Sequence, residues 1–443
     1  MRRFYIKTYG CQMNEHDSRK IAGLLAVRGL QPTDAMADAD LILFNTCTIR
    51  EKAEHKAMSE IGRAAELKAA RPELVVGVCG CVAQQEKELL FDRFPLLDLL
   101  FGPDQIPALP RLLDALEQER RHVSALEIVN DVDEYQFLNL TPWADGVVSP
   151  AAAFVTIMKG CDSNCAYCIV PQVRGREVCR PADDIVSEVQ GLVERGVREV
   201  TLLGQTVNTY GNRRHAGVIP FAALLQRIAV ETAIQRIRFT SPHPKDVNDS
   251  LLAAYRDNAK LCRHIHLPVQ SGADVVLRRM RRAYTRAQYL EKVAALRGAA
   301  PDLAITTDMI VGFPGETDAD FAETLSLVET VQFDGLFAFK YSPRPGTESF
   351  ARLPDDVPPA TKDERLQRLF ALNEAIVTRR YAAHIGTTRD VLIESRDEGD
   401  GRWRGRTTHH MIVHFIGTEC VLGDIVPVHI TDAGGYSLRG EKR

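Results

Sequence analysis

FVTIMKGCDSNCAYCIVP, residues 154–171, is the stretch on which the fold turns. An apolar run, Phe154–Met158, reads as a strand and passes through Gly160 into Cys161, Cys165 and Cys168, spaced C-x3-C-x2-C. Thiols this close, in a chain without a secretory signal, read as metal ligands rather than disulfide partners. Their number matters more than their spacing. A structural zinc site takes four protein ligands, and an electron-transfer [4Fe-4S] cluster takes a cysteine on each iron. Three in one loop leave a metal corner open for a substrate or cosubstrate, and Tyr167 places an aromatic face beside it. The alternative is a zinc or ferredoxin-type loop completed by a distant ligand such as Cys179, but a zinc loop normally pairs one C-x2-C with a second.

Working outward, further candidate strands lie at Val200–Gly204, Ile237–Thr240, His264–Pro268, Ile305–Gly312 and Leu336–Tyr341, with helices between them. One helix is predicted to start at Asp183 or Asp184, with Ile185, Val189, Leu192 and Val193 on one face and Gly196 past its end. Six strand–helix units across 151–376 predict an incomplete (βα) barrel, in which sites form at the carboxyl ends of strands. The three-cysteine loop sits at such an end.

Upstream, residues 1–120 repeat a strand–turn–helix unit. Strands Phe4–Thr8, Leu41–Asn45 and Leu74–Val78 each run into a cysteine: Cys11, Cys47 and Cys81. Asn14 is the expected N-cap of a helix Glu15–Val27, stopped by Gly29. Alternating strands and helices predict a parallel sheet covered on both faces, so the class is α/β. Ligands of such sheets bind outside the carboxyl ends of the strands, where these three cysteines should converge. Buried free cysteines are usually small hydrophobes, yet repetition on three units points to a second three-cysteine iron–sulfur cluster. Cys79, two residues from Cys81, should face the other side of its strand and is read as core. Residues 121–150, with Asp131, Asp133, Glu134 and Asp145, read as a linker.

Residues 377–443 change character. Segments near Val391, Met411 and Asp424 alternate apolar and polar residues between glycine-rich turns, predicting a small antiparallel β-barrel or sandwich. Arg402, Trp403, Arg404 and Arg406 offer cationic and stacking surface for nucleic acid, though a solvated charged hairpin looks the same. The whole chain, 443 residues with 45% apolar and 26% charged side chains and a formal net charge of −4, is long enough for two or three cores. A nucleic-acid partner depends on local basic patches rather than on that sum. No apolar run approaches the ~20 residues that cross a bilayer. The N-terminus lacks an apolar signal region. A cytoplasmic, oxygen-sensitive metalloprotein is expected.

The three-cysteine array with its preceding tyrosine resembles the radical S-adenosylmethionine (SAM) superfamily. Together with TYGCQMNEHDS, NTCTIREKA, GCVAQ, RGREVCRP, LLGQTVNTYG, SPHP, HLPVQSG, TTDMIVGFPGET and YSPRPGT, it resembles the methylthiotransferases of that superfamily over essentially the whole chain. The nearest branch is the one acting on N(6)-dimethylallyladenosine at position 37 of tRNA, and the C-terminal segment resembles a TRAM domain, an RNA-binding module. The resemblance implies two [4Fe-4S] clusters and SAM. Cys161, Cys165 and Cys168 would hold the cluster that cleaves SAM, and Cys11, Cys47 and Cys81 an auxiliary cluster whose open iron carries the sulfur. The reaction implied is methylthiolation of the adenine at carbon 2, a C–H bond too inert for general-base chemistry, and no general acid or base is named. Implied partners are the tRNA anticodon arm and an electron donor such as a flavodoxin or ferredoxin. A monomer is expected.

Tyr167, Gly204, Gln205 and Gly312 are the residues expected to line the SAM pocket, glycine allowing close backbone approach; turn geometry alone would also explain the glycines. Arg278, Arg279, Arg281, Arg282 and Arg286 form a run without an acid, expected with Arg404 to contact RNA phosphates rather than simply to face solvent. Two positions depart from the family pattern: Cys179 stands where serine is common, and Asn164 where an aromatic is frequent. Sibling branches acting on threonylcarbamoyladenosine or on a ribosomal protein are the alternatives within the enzyme class. Outside it stands a non-catalytic iron–sulfur or zinc RNA-binding protein.

Overall fold

The computed structural model describes residues 1–48, 51–119, 122–131, 134–138, 151–212, 217–397 and 399–443, without the side chains of 51–55 and 119. Its contacts divide into two compact units: Met1–Val148 with Lys159–Ser163 and Ile169–Val178, and Ser149–Met158 with Asn164–Cys168 and Cys179–Arg443.

The first unit is built on β1 (Arg3–Tyr9), β2 (Gln31–Pro32), β3 (Leu41–Thr46), β4 (Val75–Gly80), β5 (Leu99–Phe101) and β6 (Val123–Ala125). All pairings are parallel, in the spatial order β2-β1-β3-β4-β5-β6. Strand alternation explains its two cores. Leu41, Leu43 and Cys79 enter one, beneath the helix Gln12–Val27, while Ile42, Phe44, Val76 and Val78 enter the other. A strand buried on both faces reads as a continuous apolar run, as LILF in β3 does. Cys79 is therefore core, as expected.

Three readings are corrected here. Helix Gln12–Val27 begins three residues before the predicted Glu15. Cys11 is its N-cap, and Asn14 is its third residue, reaching back to the cap. Strands β2 and β5 were not expected, and β6 occupies the start of the segment read as linker from 121 on. Two- and three-residue strands are too short to show a period of two. Of the linker acids, Asp133 and Asp145 lie outside the described residues.

In the second unit β7 (Ala152–Thr156) begins the barrel; the two-residue strands β8 (Met158–Lys159) and β9 (Val178–Cys179), each with one residue in either unit, bracket the three-cysteine loop. Then come β10 (Glu199–Leu203), β11 (Arg236–Phe239), β12 (His264–His266), β13 (Ala304–Val311) and β14 (Gly335–Lys340). These six barrel strands form two parallel halves, β11-β10-β7 and β12-β13-β14, with an isolated parallel bridge from Ile237 to Leu261. That is the predicted incomplete barrel.

The C-terminal strands β15 (Thr388–Arg396), β16 (Trp403–Thr407), β17 (Ile412–Ile416), β18 (Ile425–Gly434) and β19 (Ser437–Lys442) close into a barrel in the order β15-β16-β17-β19-β18. All its pairs are antiparallel except β17 with β19. Its core of Val391, Ile393, Val413, Phe415, Val428, Ile430 and Leu438 also takes Val377 and Tyr381 from the helix Pro359–Ala382.

Candidate functional site

The order β2-β1-β3-β4 places a topological switch between β1 and β3, where an open parallel sheet splays its connections and leaves a crevice at the carboxyl ends. Cys11 follows β1, Cys47 follows β3 and Cys81 follows β4. The first two meet. A Cβ added to Gly10, at φ +150°, would stand 2.5 Å from Cys47 Cβ, so only glycine lets these loops approach so closely. Around them Asn14 Oδ1 accepts from the Cys11 thiol at 3.3 Å, and Asn45 Nδ2 donates to Ser18 Oγ at 2.9 Å.

The electrostatics favour a thiolate at Cys11. A hydrogen bond with Cys47 brings the Cys11 thiol down to about 6; burial opposes this, while the Arg174 cation and backbone N–H groups assist. Burial pushes the Cys81 thiol up, and the positive charge of Arg174 pulls the other way. Ile169 and Val173 pack on Cys81. All ten cysteines are free of disulfides. Among the described residues no three His, Cys, Asp or Glu side chains close on a point as a single ion requires. Three thiols that follow neighbouring parallel strands, one of them lowered toward the thiolate, are the donor chemistry that an iron–sulfur cluster takes.

The three-cysteine loop is held along its backbone. Cys161 N donates to Gly175 O at 3.1 Å, and Ser163 N to Cys161 Sγ at 3.4 Å. Ala166 N donates to Met280 O at 2.9 Å and Ala166 O accepts from Ser349 N at 2.8 Å. Tyr167 meets Phe313 edge-on, with ring centroids 6.4 Å apart, against a cluster of Ala273, Val276, Met280 and Tyr341.

Arg282 requires a correction. Expected on the surface for RNA phosphates, it is 9% exposed and donates to Cys165 Sγ at 3.4 Å, Tyr284 Oη at 2.9 Å and Pro268 O at 2.9 Å. It braces Cys165 of the three-cysteine loop instead. The rest of the run divides. Arg286 donates to Ser326 Oγ and to backbone carbonyls, Arg279 to Gly315 O, and Arg281 pairs with Glu348 at 2.6 Å. Arg278 and Arg404 are exposed. Arg406 pairs with Glu394, and Trp403 Nε1 donates to Gly417 O. Gly204 is crowded by Met158, where an added Cβ would lie 2.5 Å from its Cγ, and Gly312 by Lys362 at 2.3 Å; Gln205 is half-buried beside Gly204.

Sequence reasoning missed two buried ion pairs: Arg174 with Asp17 at 2.8 Å and Lys159 with Asp104 at 2.6 Å. Arg174 opens the quoted RGREVCRP, and its place just after an apolar IVPQV run was the available signal. Also missed was the face shared by β12, β13 and β14. There Phe337 lies beside Asp308 and Phe339 beside Ile310, 55% and 37% exposed, and His266 Nε2 meets Asp308 Oδ2 at 3.2 Å.

Residues 3–102 match the Uncharacterized protein family UPF0004, residues 155–328 the Radical SAM superfamily, and residues 382–442 the TRAM domain. Among solved structures, the radical S-adenosylmethionine methyltransferase TsrM from Kitasatospora setae, bound to tryptophan and a SAM analogue, aligns with a TM-score of 0.57 at 14% identity, over 76% of this chain and 73% of that one. The cobalamin-dependent S-adenosylmethionine radical enzyme OxsB aligns at 0.51 and 14% identity, over 85% of this chain and 56% of that one. These likenesses concern the fold. Proteins named tRNA-2-methylthio-N(6)-dimethylallyladenosine synthase are far nearer in sequence. That of Geobacter metallireducens is 48% identical over 99% of this chain and 97% of its own, and that of Sorangium cellulosum 47% identical over 100% and 93%. The chain belongs to the family of these synthases, within the radical SAM superfamily.

Proposed function

We propose that this protein is a sulfur-group transferase that places a methylthio group on carbon 2 of N(6)-dimethylallyladenosine beside the tRNA anticodon. The observation that carries the reading is the meeting of Cys11 and Cys47, with Cys81 just past the end of the next strand, at the switch point of the first sheet. A radical SAM enzyme needs only one three-cysteine loop, so a second set of disulfide-free thiols beside a buried cation fits a further iron–sulfur cluster. Cys161, Cys165 and Cys168 would hold the first cluster and Cys11, Cys47 and Cys81 the second. When bound, the two [4Fe-4S] clusters and SAM supply the electron, the radical and the sulfur and methyl groups.

The chain's own residues bind and orient. Arg282 fixes Cys165 and Tyr167 shields the loop against Phe313. Phe337 and Phe339 offer an exposed apolar shelf for a dimethylallyl-bearing adenine, with His266 and Asp308 as polar neighbours. Arg278 and Arg404 meet RNA phosphates. A flavodoxin- or ferredoxin-class protein delivers the electron.

Anaerobic reconstitution, an iron count and an assay on anticodon-arm RNA with and without the dimethylallyl group test the reading. Eight irons per chain and turnover restricted to the prenylated RNA are expected. Four irons, or equal turnover of both RNAs, overturns it.

A further inference from the structure

The segment that carries the three-cysteine loop has a buried cation at each flank. Before the loop, Lys159 Nζ pairs with Asp104 and lies 4.8 Å from the centre of the Tyr135 ring. After it, Arg174 ends the helix Val170–Arg174, with its side chain 7% exposed, and pairs with Asp17, whose side chain is 6% exposed. Both carboxylates belong to the first unit, as do both flanks.

The two pairs differ in what else they touch. Asp104, Val129 O and the Tyr135 ring surround Lys159. Arg174 has five N–H donors in a planar fork. Asp17 Oδ2 takes one of them, at 2.8 Å. Val173, the neighbour of Arg174 on the same helix, packs on Cys81, so the guanidinium sits beside that thiol, and its charge also bears on Cys11. A buried guanidinium is tolerated only when paired, and Asp17 alone already neutralises it. A neutralised guanidinium placed beside a thiol is therefore more than a fold-stabilising pair requires.

We propose that Arg174 is a positioning residue for the cluster held by Cys11, Cys47 and Cys81: steered by Asp17, it donates to the Cys81 thiolate, offsets the negative charge of three thiolates, and so sets the potential and retention of that cluster. The proposal rests on the three-cysteine reading above. Hydrogen bonds to cluster sulfurs and local net charge are the protein's means of moving such potentials. Groups that orient metal ligands typically change metal affinity 10–100-fold when removed. Ile169 and Val173 of the same segment pack on Cys81 and so hold the Arg174 segment against that ligand.

The test uses the full chain with Cys161, Cys165 and Cys168 all changed to Ala, so that only the second cluster loads. Four irons per chain in this parent support the underlying reading; none sinks that reading itself, before Arg174 is touched. Arg174→Gln, Arg174→Lys and Asp17→Asn are then compared in potentiometric titrations followed by electron paramagnetic resonance, and in the rate of iron loss to a chelator. Arg174→Gln should shift the potential negative and speed iron loss ~10-fold or more. Arg174→Lys should restore most of the potential, and Asp17→Asn should fall between. An unchanged potential and loss rate in Arg174→Gln overturns the proposal. So does an equal loss of thermal stability in the metal-free and loaded forms that Arg174→Lys fails to rescue, because that marks a purely structural role.

Discussion

Asn14 and Asn45 bind each other twice: Asn45 Nδ2 donates to the Asn14 carbonyl at 2.8 Å, and Asn14 Nδ2 donates to Asn45 Oδ1 at 3.0 Å. Both are fully buried, so the first helix is fastened to β3 at the level of Cys11 and Cys47. Asn45→Ala removes three of these bonds, including the one to Ser18, and leaves buried polar groups unsatisfied. We expect a loss of about 1–3 kcal/mol in urea unfolding of the metal-free protein. An unchanged midpoint would show that water replaces the amide.

Arg238 and Glu199 form a buried pair at 2.9 Å, and Arg238 also donates to the carbonyls of Thr407 and Thr408 in and beside β16, as Arg236 does to those of Arg406 and Asp390. Arg238→Met strands the Glu199 carboxylate in the interior and should cost about 3–5 kcal/mol. Replacing both, as Arg238→Met with Glu199→Leu, should cost much less. Equal costs in denaturant melts would refute the burial argument.

His264 and His410 stack with ring centroids 4.8 Å apart. Burial, with Arg238 adding to it, pushes both far below the ordinary histidine range. The unfolded chain then binds more protons than the folded one below pH ~6.5, so stability is full above that pH and falls as the solution is acidified. Each histidine should cost about 2 kcal/mol at pH 5. Substituting both with Gln should flatten the decline between pH 6.5 and 5, measured as the urea midpoint.

For RNA binding, Arg278→Ala and Arg404→Ala should each reduce the slope of log affinity against log salt by about one. Arg282→Ala should leave that slope alone and impair iron loading at the Cys161–Cys165–Cys168 loop. A salt-slope change from Arg282→Ala would contradict its buried position.

Phe337→Ala removes most of the exposed shelf beside Asp308. Discrimination between dimethylallyl-bearing and unmodified anticodon-arm RNA should fall by about 10-fold or more in kcat/KM, the scale of apolar contacts in a pocket. Equal losses on both substrates would assign Phe337 to general binding.

The architecture was readable because each layer leaves a periodic trace. LILF and VVGV announced strands buried on both faces, and the alternation in DIVPVHIT announced a barrel wall. Cysteines after β1, β3 and β4 were readable because parallel strands put their ends side by side. What escaped depends on partners distant in sequence. Arg282 lies in a basic run whose other members are largely exposed, and only the fold turns it inward to Cys165. Arg174 and Asp17 are 157 residues apart, so no local pattern pairs them. Phe337 lies in a strand the sequence shows, but which of its faces solvent reaches is set by the elements packed around it.

The ring formed by β15, β16, β17, β19 and β18 has a consequence for how the C-terminal module meets other molecules. Every strand has two paired neighbours, so the ring offers no free row of backbone amides and carbonyls to a foreign polypeptide. Association by strand addition is closed to it. Whatever docks there must be read by side chains and loop tips, and one side chain can be changed without unravelling the wall that carries it.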